Sequence, residues 1–323
     1  MKKFLKPFDY LFVLRPVQFY AVWAVFLAGF FVQNKFGVAA TQFSANSGVA
    51  EKGDGGLLLV GLCLTLLMGA LFLMNQVMDR ENNGKDKANL VAQGEVTPKV
   101  ALIESGTLLL LALVSAFLVS PKAIFPFLVM AALAGYLYNF KPFIWKDKPP
   151  MSVAANVIGA FLIFALGWMI RGTVTFDSAV HSAPYLCFVA SIYLYTTLSD
   201  PKGADTSPKS SLGKKIGFQN AVYLGIALQA VATVFGLFLK DETIFYAAFF
   251  AIPFSVWAAV KLKMEDVRRT VGYSILLLTL AVLIKYQIEF HSYVLFFGMA
   301  IFYFLAKAYY KFRFGLDYPR IGA

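Results

Sequence analysis

Ten apolar runs of roughly membrane length, joined by short polar connections, leave this chain few ways to fold. A helix needs about 20 predominantly apolar residues to cross the hydrocarbon of a bilayer. Runs of that order fall at about 10–32, 56–78, 99–119, 123–140, 152–171, 181–198, 219–239, 244–263, 271–288 and 291–310. In lipid, backbone N–H and C=O groups must be satisfied within the segment itself, so the expected fold is all-α, a polytopic transmembrane helix bundle. Composition agrees, because 59% of the 323 residues are hydrophobic and 33 are Phe, more apolar surface than a water-facing globule can conceal. One domain spanning 1–323 is expected, with no separate soluble module.

The net charge of +11 does not point to nucleic acid, because the basic residues are dispersed among the spans. They read instead as topology signals and as contacts to anionic membrane lipid or phosphate. With the N-terminus placed in the cytoplasm, Lys35, Lys52, Lys122, Arg171, Lys240 and Lys285 fall outside, and the remaining 23 of the 29 Lys and Arg fall inside. That asymmetry favours an even number of spans, both termini cytoplasmic, and a place in the cell inner (cytoplasmic) membrane. Cys63 and Cys187 lie within apolar runs and suggest no disulfide, and His181 and His291 are isolated, so no His-ligated metal is expected.

Chemistry is concentrated where apolar runs end. The second run closes in Asn75, Asp79, Glu81, Asn83 and Asp86. At about 100° per residue, Asn75, Asp79, Asn83 and Asp86 share an arc of about 80° on one helical face, with Gly84 the expected end of the helix. Oxygen ligands at the mouth of a bilayer are costly unless a hard cation holds them, and Mg²⁺ needs only one or two carboxylates beside a substrate phosphate. The plainer reading is an acidic loop balanced by Arg80, Lys85 and Lys87. The sixth run repeats the pattern with Tyr193, Thr197 and Asp200 on one face, then Pro201, Gly203 and Asp205, then a lysine-bearing stretch through Lys209. A third segment, Tyr136 to Pro150, carries Tyr138, Lys141 and Lys146, suited either to a departing diphosphate or to an interfacial aromatic belt. Gly106, Gly135, Gly159, Gly167 and Gly225 are expected to permit close helix packing, and Glu104 is an intramembrane carboxylate that is either functional or snorkelling.

Taken together, Asn75-x-x-x-Asp79 and Asp200-x-x-Gly203-x-Asp205 resemble the two aspartate motifs of UbiA-type intramembrane prenyltransferases. Leu14-Arg15-Pro16, the stretch from Leu137 through Lys146 to Asn156 and Gly159, and the sequence around Lys209 add to the resemblance, which covers about residues 10–290. It implies nine family-type spans around a central cavity open to the cytoplasmic side and the membrane, with a tenth span appended at about 291–310. It implies Mg²⁺ held by Asn75, Asp79, Asn83 or Asp86 at one motif and by Asp200 and Asp205 at the other. Asp79, Asp200, Lys146 and Tyr138 would serve catalysis, and Arg80, Lys141, Lys209 and Asn156 would contact substrate. The implied reaction transfers a polyprenyl group from an allylic polyprenyl diphosphate to a lipophilic acceptor, a quinone precursor or a pigment. The chain departs from the family pattern at Gln76 and Asn83, where aspartates are usual, and Asp200 and Asp205 are five rather than four residues apart. Two rivals are a catalytically silent prenyl-lipid-binding relative and a membrane transporter. Against the transporter, the carboxylates gather at one interface and not at the midplane.

Overall fold

A computed structural model describes residues 6–36, 53–80, 89–198, 215–316 and 318. The helices in order are α1 Lys6–Phe12, α2 Phe19–Phe36, α3 Gly53–Met78, α4 Pro98–Val119 and α5 Ile124–Met130, the last continued by a π-helical segment Ala131–Leu137. They are followed by α6 Pro149–Trp168, α7 Phe176–Thr196, α8 Phe218–Phe238, α9 Glu242–Lys261, α10 Met264–Phe290 and α11 Val294–Phe314. Among the described residues, 8 helices are long and apolar enough to cross a membrane. With α7 and the Pro121–Leu137 segment they match the ten runs of the sequence, and the chain is a multi-pass membrane protein.

Two expectations about boundaries change. The first run is broken: Pro16 lacks an amide hydrogen and disfavours α geometry at the residue before it, so α1 ends and Arg15 turns to φ 54 before α2 begins. The second run stops at Met78, before the expected Gly84. Its cause is visible: the Asn89 side chain donates to the Gln76 carbonyl (3.2 Å), and the Arg80 amide bonds Val77 instead (3.4 Å).

The chain forms two compact units, one of residues 1–20, 47–143 and 293–319, the other of residues 21–46, 144–292 and 320–323. In the first unit α3 packs on α4, α4 on α5, and the π segment on α3. A Cβ on Gly135 of the π segment would lie 3.1 Å from Leu71 Cδ2, so the close approach depends on glycine. A widened π turn frees carbonyls, and the buried Asn139 amide donates to two of them, Ala134 O (3.0 Å) and Gly135 O (3.1 Å). One apolar core joins Phe12 and Val13 of the α1 end, Leu73 and Val77 of α3, Leu90, Val91 and Val96, and Ala306 and Tyr310 of α11. Beneath it Asp9 is gripped by Arg313 at two atoms (3.0 and 2.8 Å) and accepts from the Tyr309 hydroxyl (2.6 Å).

In the second unit α7, α8, α9 and α10 pack consecutively, and α6 lies on α7. The backbones of α2 and α6 nearly touch: a Cβ on Gly29 would sit 2.0 Å from Phe164 O, and one on Gly167 1.9 Å from Phe26 O. Gly225 likewise gives its space to the Tyr195 ring. Gly106 and Gly159, expected to do the same, face open space with no neighbour within 4 Å, so of the five glycines expected to pack closely Gly135, Gly167 and Gly225 do, and Gly29 joins them.

Candidate functional site

Within the first unit the end of α3 assembles an oxygen-rich corner. The Asp79 amide donates to the Asn75 carbonyl (2.9 Å), so these two residues sit one turn apart on one face, as their spacing requires. Asp79 is only 7% exposed. Asn75 Oδ1 is buried and has no hydrogen-bond partner among the described residues, and the same holds for Gln76 Oε1 of the next residue. Leaving a buried acceptor without a donor costs on the order of 1–3 kcal/mol, so native proteins rarely tolerate two side by side. An unanswered amide oxygen one turn before a buried carboxylate, on one face at the negative end of a helix, offers oxygen ligands suited to a hard cation. Mg²⁺ therefore fits the residues present here. Among the described residues no group of three or more His, Cys, Asp or Glu could hold a metal ion. Asn83 and Asp86 lie outside the described residues.

Gln76 also explains its departure from the usual aspartate. Its Nε2 donates to the Val13 carbonyl (2.6 Å), and its own carbonyl accepts from Asn89, whose Oδ1 in turn accepts from the Ala92 amide (3.1 Å). A carboxylate could not make the first bond, because it has no hydrogen to donate to Val13. Arg80 is exposed at the turn that follows.

Tyr138 and Lys141 come just after the π segment. That segment meets Leu71 and Met74 through Gly135, and successive spans alternate in direction, so Tyr138 lies at the same end of the first unit as Asn75. Tyr138 is half-buried and Lys141 exposed. The aromatic-belt reading applies to their neighbours: Tyr136 and Phe143 are both exposed, and Tyr136 stacks on Phe140 with centroids 5.9 Å apart.

The second unit places its candidates at the start of α6 and the end of α7. Lys146 is half-buried in the 3₁₀ turn Trp145–Asp147 that leads into α6. Asn156 is also half-buried and donates to the Ser152 carbonyl one turn earlier (2.8 Å). The Ser152 hydroxyl hydrogen-bonds Tyr193 near the C-terminus of α7. This ties the Lys146–Asn156 stretch to the helix end from which the sequence runs on to Asp200. The Thr197 amide bonds the Tyr193 carbonyl one turn earlier (3.2 Å), and its hydroxyl donates to the Leu194 carbonyl of the same helix (2.7 Å). Asp200, Asp205 and Lys209 lie outside the described residues. Ser152 had no signal in the sequence, because a serine in the first turn of a helix is ordinary until its partner is known.

Away from these ends, Glu104 on α4 keeps a buried Oε2 without a hydrogen-bond partner. At the other end of the second unit Asp241, the cap of α9, accepts from the Thr243 amide (3.1 Å), the Ile244 amide (3.5 Å) and the Tyr185 hydroxyl (2.8 Å). Burial pushes its carboxyl above the ordinary range, against the opposing pull of those hydrogen bonds.

Comparison with known proteins gives this geometry a context. Residues 36–271 match the model of the UbiA prenyltransferase family. A solved UbiA homolog from Archaeoglobus fulgidus superposes with TM-score 0.61 at 19% identity, covering 84% of this chain and 96% of its own. The same homolog bound to GPP and Mg²⁺ gives TM-score 0.60 at 20% identity, with 84% and 98% covered. A digeranylgeranylglyceryl phosphate synthase structure gives TM-score 0.58 at 17% identity, with 86% and 97% covered. No curated protein sequence matches the chain significantly. The family match takes in α3, with its buried oxygens, and runs on to α10, so the chain belongs to the UbiA prenyltransferase family.

Proposed function

We propose that the protein transfers a polyprenyl group from an allylic polyprenyl diphosphate to a lipophilic acceptor, a quinone precursor or a pigment. The observation that carries this reading is the α3 end, where Asn75 Oδ1 lacks a donor beside the buried Asp79 in a chain of this family. Archaeoglobus fulgidus relatives bound to GPP and to DMAPP with Mg²⁺ support the substrate class. The whole chain then acts as one functional domain, with α11 added beyond the nine family-type spans and a cavity open to the cytoplasmic side and the membrane. The excess of Lys and Arg on one side supports a reading with both termini in the cytoplasm of an inner-membrane protein.

In this reading Asn75 and Asp79 hold one Mg²⁺, with Asn83 or Asp86 completing its shell, and Asp200 and Asp205 hold another. Bound Mg²⁺ supplies charge neutralisation to the diphosphate as a leaving group. Lys146, Lys141, Lys209 and Arg80 bring positive charge to the phosphate oxygens, and Tyr138 and Asn156 offer neutral hydrogen bonds. The allylic C–O bond breaks with its electron pair remaining on the diphosphate. The acceptor forms the new bond to that carbon and gives up a proton. Enclosure among apolar helices keeps water from taking the acceptor's place.

Incubating the purified protein with Mg²⁺, labelled geranylgeranyl diphosphate and candidate acceptors tests the reading. Mg²⁺-dependent release of diphosphate with formation of a prenylated product is expected. Absence of both release and Mg²⁺-dependent diphosphate binding would overturn it.

A further inference from the structure

Outside the family-matched residues, α1 and α11 make a joint that reaches α3 through one hydrogen bond. Asp9 is 1% exposed and is held by Arg313 Nε and Nη2 and by Tyr309, while Phe12 stacks on Tyr309 with centroids 4.0 Å apart. The planar guanidinium fork grips the carboxylate at both oxygens, so it fixes direction as well as distance. Tyr20 adds a hydrogen bond to the Met299 carbonyl of α11 (2.8 Å). Where α1 ends, the Phe12 carbonyl takes a turn bond from the Arg15 amide (3.1 Å), and two successive carbonyls also reach partners on other helices. Phe12 O accepts from the Tyr310 hydroxyl of α11 (2.6 Å), and Val13 O accepts from Gln76 Nε2 of α3 (2.6 Å). One peptide thus separates the grip of α11 from the grip on α3. Gln76 lies between Asn75 and Asp79 in sequence, and Leu73 and Val77 pack in the same core as Tyr310 and Ala306.

We propose that Arg313, Tyr309 and Tyr310 are positioning residues: through α1 and the Val13–Gln76 bond, α11 sets the orientation of Asn75 and Asp79 toward the metal–diphosphate. This rests on the reading of those two residues as Mg²⁺ ligands. A fold needing only an anchored C-terminus would be served by apolar packing. The joint instead converges, through directional bonds, on the turn of α3 where Asn75 Oδ1 and Gln76 Oε1 lack a donor among the described residues.

The test measures Mg²⁺-dependent binding and turnover of labelled geranylgeranyl diphosphate by the full chain, alongside thermal unfolding. Arg313→Met is expected to raise the Mg²⁺ concentration for half-maximal binding by about tenfold, the equivalent of about 1.4 kcal/mol. The rate at saturating Mg²⁺ should fall by less. Arg313→Lys, which keeps the charge and loses the fork, should lie between, and Tyr310→Phe should shift the Mg²⁺ dependence in the same direction by less. Should Arg313→Met fail to fold, Tyr310→Phe carries the decision: a shifted Mg²⁺ dependence supports the proposal and an unshifted one overturns it. Variants that unfold earlier yet keep the wild-type Mg²⁺ dependence would show a purely structural joint and end the proposal. Asp79→Asn separates the two levels. If it abolishes Mg²⁺-dependent binding while the α11 variants bind normally, only this inference falls. If Asp79→Asn binds normally, the site reading falls and takes the inference with it.

Discussion

Asp79 and Asp241 are both buried carboxylates beside helix ends, yet their surroundings differ in kind. Asp241 sits at a helix N-terminus, where two amides and a tyrosine hydroxyl answer its oxygens. Asp79 sits at a helix C-terminus, where the neighbouring Asn75 and Gln76 add further oxygens that no donor answers. The first arrangement answers a carboxyl with donors from within and does structural work. The second gathers acceptors at the negative end of a helix and leaves the Asn75 and Gln76 side-chain oxygens without a donor among the described residues. Burial alone therefore identifies neither; the ratio of donors to acceptors separates them.

Breaking the contrast at the open site should have the largest effect. Asp79→Asn is expected to lower turnover by on the order of a hundredfold or more, as loss of a metal ligand removes several kcal/mol of charge stabilisation. Unfolding should remain close to wild type, and a diphosphate-release assay with a melting curve checks both. Unchanged turnover would remove Asp79 from the machinery. Asn75→Leu sharpens the same side. It should raise the Mg²⁺ concentration for half-maximal activity by about tenfold, without lowering the unfolding midpoint, because the unanswered oxygen it removes costs about 1–3 kcal/mol. A loss of stability with unaltered Mg²⁺ dependence would mean that Asn75 is structural after all.

On the satisfied side the signs reverse. Tyr185→Phe withdraws a donor from Asp241 and should destabilise the fold by about 1–3 kcal/mol while the Mg²⁺ dependence stays as in the wild type. The smallest effect is in pH. Because burial raises the folded-state carboxyl of Asp241, its contribution to stability is complete below the ordinary carboxyl value of about 3.9 and is lost as pH climbs through the raised one. The unfolding midpoint should therefore decline from about pH 4 upward more steeply in the wild type than in Asp241→Asn. Parallel slopes would count against it.

The spans were legible because bilayer thickness imposes a length on apolar sequence that no tertiary contact has to confirm. The pairing of Asn75 with Asp79 was legible for a similar reason, since a four-residue spacing fixes a shared helical face. What escaped depends on partners that arrive from far along the chain. In sequence Gln76 reads as a lost ligand, whereas in the fold its amide meets the Val13 carbonyl. Gly84 reads as the helix end, whereas Asn89 occupies the Gln76 backbone carbonyl and ends the helix earlier. Gly106 and Gly159 could not be told from Gly135 by sequence, because glycine inside a span does not reveal what stands opposite. Asp9 and Arg313 are 304 residues apart and carried no local pattern that could pair them.

The π-helical segment Ala131–Leu137 has its own consequence. Such a segment holds one residue more than the regular coil it interrupts, so everything downstream is indexed about 100° away from where uninterrupted winding would put it. Tyr138 and the basic stretch beyond it owe their bearing to that surplus. Losing a single alanine there would preserve hydropathy, span length and charge, and still swing the hydroxyl to another azimuth. Members of one family can thus carry near-identical spelling through this region and aim it differently, with indel count, not residue identity, as the variable that matters.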